Sequence, residues 1–146
     1  MKVLVSGHRL HKLSTYDIGW IKEALELSIT SFTSMSMGLS GMAGVVDLWF
    51  CELCINHQIP LVACPPFPEQ EETIDVSQKQ LRQYCLSKAA EIWPIRNSQM
   101  IKKSDAGIIV FDGNKGGTHN VFQQMVEYRK SFIWINPVGL KIWECF

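Results

Sequence analysis

Seven consecutive residues, Asp112-Gly113-Asn114-Lys115-Gly116-Gly117-Thr118, bring a carboxylate, bare backbone and a hydroxyl into one short turn. The apolar run at 107–111 before them reads as a buried strand. After them, residues 119–130 carry Val121, Phe122, Met125 and Tyr128 at helical spacing. A strand that breaks at Asp-Gly and restarts as a helix behind Gly-Gly-Thr leaves N–H groups unpaired at a helix N-terminus. The peptide dipoles add a partial positive charge there, which suits phosphate or another anion. Gly113, Gly116 and Gly117 admit a ligand close to the main chain. Thr118 can cap the helix or donate to a phosphate. Asp112, at a strand's carboxyl end, stands where functional acids are favoured.

Other residues at expected strand ends offer matching chemistry. Gly7-His8-Arg9 follows the first strand, and the arginine fork fits phosphate or carboxylate. Gly41 ends the second strand. Asp47, in the first turn of the following helix, is either an acid favoured by the dipole or an acceptor for ribose hydroxyls. Arg96-Asn97 opens a later helix and either reaches the site from the side or caps that helix. The chain has no G-x-x-x-x-G-K-[ST], no G-x-G-x-x-G after its first strand, no G-x-S-x-G and no H-E-x-x-H. Walker-type hydrolysis and standard dinucleotide-dependent hydride transfer are therefore not expected.

The elements that must hold these residues follow from periodicity. Strands are expected at 2–6, 35–39, 60–64, 107–111 and 132–136, with helices at 16–31, 44–57, 76–90, 97–104 and 119–130. Thr15 is the expected cap of the first helix, and 44–57 is apolar enough to be heavily buried. Alternating strands and helices imply an α/β class protein. The simplest arrangement is a single doubly wound, Rossmann-like parallel sheet in the order 3-2-1-4-5, with helices on both faces. It places strands 1 and 4 side by side where the winding reverses, and ligands bind beyond those carboxyl ends.

At 146 residues, 47% hydrophobic and 19% charged, the chain is expected to form one compact domain, 1–146. Fourteen basic residues balance fourteen acidic ones, so neither nucleic acid nor an acidic membrane surface is an expected partner. No apolar run reaches the ~20 residues of a membrane span, and the opening MKVLVSGHRL lacks the apolar core of a signal peptide, so a cytoplasmic location is expected. Cys51, Cys54, Cys64, Cys85 and Cys145 are read as reduced structural thiols, with no metal site and no cofactor. The five tryptophans do not interleave with basic residues and read as core or interface.

These motifs resemble the SLOG superfamily, the fold of the LOG and DprA proteins, in its YpsA/YspA-like branch. The echoes are Gly7-His8-Arg9, the run 40–49 (SGMAGVVDLW), the run 66–71 (PFPEQE), Arg96-Asn97 with Lys103-Ser104-Asp105, and the Asp-Gly…Gly-Gly-Thr turn. The resemblance implies a pocket for nucleotides or ADP-ribose-type compounds, frequent oligomerisation and a signalling context in antiphage defence. Some members hydrolyse nucleoside monophosphates with a glutamate two places after Gly-Thr. Asn120 occupies that position here, and an amide is no general base.

The expected function is therefore binding of a nucleotide or NAD/ADP-ribose-derived molecule, as a sensor or a sequestering protein, without substantial catalysis. The rivals are a nucleoside-monophosphate hydrolase using Asp112, His8 or Glu127, and an interaction protein with a vestigial pocket. A homo-oligomer is expected from the apolar helix 44–57 and the aromatic tail 142–146.

Overall fold

The structure, a computed structural model, describes residues 1–32 and 34–146, without the side chains of residues 10 and 11. One seven-stranded sheet runs in the order β4-β3-β2-β1-β5-β6-β7. Its strands are β1 (Lys2–Gly7), β2 (Met37–Ser40), β3 (Leu61–Ala63), β4 (Glu91–Ile92), β5 (Ala106–Val110), β6 (Ser131–Asn136) and β7 (Lys141–Cys145). The helices are α1 (Leu10–Leu13), α2 (Ile18–Ser31), α3 (Val45–Asn56), α4 (Val76–Lys88), α5 (Asn97–Lys103) and α6 (Gly117–Glu127), with a 3-10 turn at Pro68–Thr73.

The five expected strands form the centre in the expected 3-2-1-4-5 order, all parallel, with β1 beside β5 over the register Val3↔Ala106 to Gly7↔Val110. The expectation needs correcting at both edges. Two-residue β4 extends one side, and β7 pairs antiparallel with β6 from Phe132↔Cys145 to Asn136↔Lys141. The tail that suggested a second copy thus folds back on its own sheet. Asp17, not Thr15, caps α2, accepting from the Trp20 backbone N–H at 3.0 Å.

Alternation along the central strands supplies both faces. Val3, Val5, Ile108, Val110, Ile133 and Ile135 point to the layer of α2 and α3, while Leu4, Ile109 and Phe132 point to that of α5 and α6. The mostly apolar sequence of α3 has a cause, since α3 packs on the sheet, α2 and α4 and buries Val45 through Cys51, Asp47 included, together with Cys54. All five cysteines are free, four of them fully buried, and burial pushes the Cys54 and Cys64 thiols up to about 12. Among the described residues no helix is long and apolar enough to cross a membrane.

Candidate functional site

β1 and β5 end side by side, so the loops that follow them share the sheet's carboxyl edge. A cleft of ≈ 240 Å³ opens there, walled by Gly7, His8 and Arg9 after β1 and by Gly117 and Thr118 at the start of α6. Gly41 and Asp47 close it from the β2 side, and Asn97 enters from α5. Eight of the twelve residues singled out from sequence therefore line one cavity. Arg96 lines an adjoining compartment, and Asp112, Gly113 and Gly116 line neither.

Those last three shape the turn instead. Gly113 and Gly116 carry the positive φ values, 92° and 152°, that the chain needs between β5 and α6. Gly117 is already helical, and a Cβ built on it would meet nothing within 4 Å. Gly7 has a different reason to be glycine, because a Cβ there would stand 2.5 Å from Val46 where α3 crosses β1.

Asp112 is engaged behind the cleft. Its Oδ1 accepts from the Asn114 backbone N–H at 2.9 Å, and Oδ2 accepts from the Tyr16 hydroxyl at 3.0 Å and from Asn114 Nδ2 at 3.1 Å. His8 Nε2 lies 2.8 Å from Oδ1 and 3.2 Å from the Asp112 backbone N–H, so it meets an acceptor and a donor of the same residue. Burial pushes the Asp112 carboxyl up, but the bonds from Asn114, the charge of His8 and the Tyr16 hydroxyl together hold it below its usual value. Burial also lowers the His8 pKa, against the pull of Asp112. The pair laces the two loops at the winding reversal together.

Two helix N-termini face the cleft. At α3, the Asp47 Oδ2 accepts from the backbone N–H groups of Ala43 and Gly44 at 3.0 and 3.3 Å. Burial raises its pKa from 3.8 to about 6, against those two bonds and the charge of Arg9. At α6, no acid stands in the first turn and no side chain caps Gly116. Thr118 is 5% exposed, and its hydroxyl bonds to no described residue.

The sequence reading missed Lys12. Its ammonium lies 3.1 Å from where a Gly116 Cβ would stand, and it lines the same cleft. No carboxylate pairs with Lys12 or Arg9 among the described residues. Lys12 stands one helical turn past Arg9, which was its only signal. Also missed was a buried clamp under the Gly41 loop. Gln70 Nε2 donates to the Gly41 carbonyl at 2.7 Å, Arg82 donates to Gln70 Oε1 at 2.7 Å, and Arg82 Nε donates to the Met42 carbonyl at 3.3 Å. These bonds hold Met42 at a left-handed φ of 60°, costly for a side-chain-bearing residue.

No family model matches the chain. It is similar to UPF0398 proteins: one from Bacillus cereus strain G9842 is 28% identical, with 81% of this chain and 78% of the relative covered. One from Bacillus thuringiensis strain Al Hakam has the same identity and coverage. The X-ray structure of DNA processing protein A (DprA) from Streptococcus pneumoniae matches with a TM-score of 0.62 at 13% identity, covering 91% of this chain and 49% of that one. The chain thus spans about half the length of DprA, and at that identity the likeness is one of fold. The shared fold agrees with the α/β, Rossmann-like architecture expected from the sequence.

Proposed function

We propose that the cleft at the ends of β1 and β5 binds the anionic part of a nucleotide or of an NAD/ADP-ribose-derived molecule, and that the chain acts as a sensor or sequestering protein for it. One observation carries this reading: the ammonium of Lys12, which has no carboxylate partner among the described residues, stands at the uncapped N-terminus of α6, in a cleft that Arg9 also lines. A positive side chain at that end opposes the helix dipole, which favours anions there. An anion in the cleft would relieve the conflict, and Arg9 and the unpartnered Thr118 hydroxyl supply further donors.

Catalysis is not part of the proposal. Asn120 is exposed on α6, and Glu127, ten residues past Gly117 on that helix, stands about 15 Å from its start along the axis. Asp112 spends both oxygens on its neighbours. DprA carries its DNA-processing description on a chain twice as long, and the balanced charge of this one favours a small ligand over a polynucleotide backbone. Titration calorimetry with AMP, ADP-ribose and inorganic phosphate tests the reading, alongside chromatography of the same mixtures. Saturable binding without products is expected. Release of base or ribose phosphate faster than about 0.1 s⁻¹ would replace it with the hydrolase.

A further inference from the structure

Beside the anion cleft lies a second compartment of ≈ 390 Å³, sharing Arg9, Gly41, Ala43 and Asn97 with the first. Small-molecule sites commonly measure 300–1,000 Å³. The first cavity alone, ≈ 240 Å³, falls below that range, so a ligand larger than a sugar phosphate has to continue into the second.

The walls of the second compartment are chemically unlike the first. Pro66, Phe67 and Arg96 line it and do not line the first. Phe67 is 41% exposed, and it sits on a stiff segment between Pro66 and Pro68, at the start of the 3-10 turn. The turn is anchored from two directions. Arg9 Nη1 donates to the Thr73 carbonyl at 3.0 Å, and buried Gln70 donates to the Gly41 carbonyl. A single exposed aromatic is ordinary on a protein surface. One held rigid on the wall of a cavity, with a guanidinium on the same cavity and an anion cleft next door, has the composition of a stacking platform for a flat heteroaromatic ring.

We propose that Phe67 and Arg96 receive the nucleobase of a ligand whose phosphate lies against α6, so that the chain selects nucleoside phosphates over bare anions and sugar phosphates. The inference rests on the proposed phosphate site, and it adds a base subsite built on Phe67 and Arg96.

The test compares AMP with ribose 5-phosphate on the full chain and on Phe67→Ala and Phe67→Trp, by titration calorimetry. AMP is expected to bind the parent on the order of tenfold more tightly than ribose 5-phosphate, the scale of one base–aromatic stack. Phe67→Ala should bring AMP down to the ribose 5-phosphate level, leave ribose 5-phosphate binding unchanged and keep the parent's melting temperature. Phe67→Trp should retain AMP affinity. Equal affinity of the parent for the two ligands, or an equal loss of both in Phe67→Ala, overturns the base subsite while leaving the phosphate site standing. Binding of neither ligand overturns both.

Discussion

Two helices start around the same cleft, and their first turns are built in opposite ways. α3 carries its own carboxylate: Asp47 reaches back to the N–H groups of Ala43 and Gly44. α6 carries no acid in its first turn, has a bare glycine cap, and draws the Lys12 ammonium to the end where a cation is least welcome. One N-terminus is completed by the chain itself. The other has no first-turn acid and no side-chain cap. The difference separates a helix start that carries its own acid from an open one, the one proposed to bind an anion, although both follow a strand and a glycine.

Gly117→Val breaks the open terminus most directly. Its Cβ meets nothing of the protein within 4 Å, so the fold should survive with a loss of about 1–2 kcal/mol at most. The branched side chain would occupy the space an anion needs, and AMP-induced melting shifts should vanish, a loss of more than about a hundredfold in affinity. A full shift in the variant would mean that the turn is only a turn.

Asp47→Asn probes the closed terminus through pH. The folded carboxyl is raised from 3.8 to about 6, so the native state holds its proton more tightly than the unfolded chain. The stability this contributes is complete below about pH 4 and is lost as pH rises through 6, a difference of about 3 kcal/mol by pH 7. The amide has no charge to bury and can still accept from Ala43. The variant should therefore melt higher than the parent at pH 7 and converge with it toward pH 4. Denaturant unfolding at both values checks this, and a constant gap between the two proteins would refute it. Acid should weaken the His8–Asp112 lacing in both proteins, since each of those pKa values is lowered, so the comparison between them isolates Asp47.

Thr118→Val removes the unpartnered hydroxyl while keeping its shape. Anion affinity should fall about tenfold, the scale of a hydrogen bond to a charged group, without loss of stability. Lys12→Met gives the smallest effect, with two opposite signs. The free protein should gain a few tenths of a kcal/mol because a cation leaves the helix N-terminus. AMP affinity should drop severalfold, with a weaker dependence on salt. Loss of stability in the free protein would show that Lys12 serves the fold rather than a ligand.

Much of this contrast was legible in the chain. Gly116-Gly117-Thr118 announces a helix start without bulk, and Asp47 at the third position of α3 announces an acid on the dipole. The central strands were legible because burial on both faces writes continuous apolar runs such as Gly107-Ile108-Ile109-Val110. The edges were not. Glu91-Ile92 is too short to show a period, and in Lys141–Cys145 four of five residues are exposed, so no core imposes a pattern on them.

By itself the sequence determined the class, the central strand order and which loops carry glycine, hydroxyl and arginine, because periodicity and turn chemistry act over a few neighbouring residues. Only the tertiary structure decided that Asp112 is consumed by His8, Tyr16 and Asn114, that Lys12 stands at Gly116, and that Gln70 and Arg82 brace the Gly41 loop from 29 and 40 residues away. Those contacts join segments far apart in the chain. Whether a polar group there is free for a ligand or spent on the protein depends on which partners the fold brings within about 3 Å, and local pattern does not encode that distance.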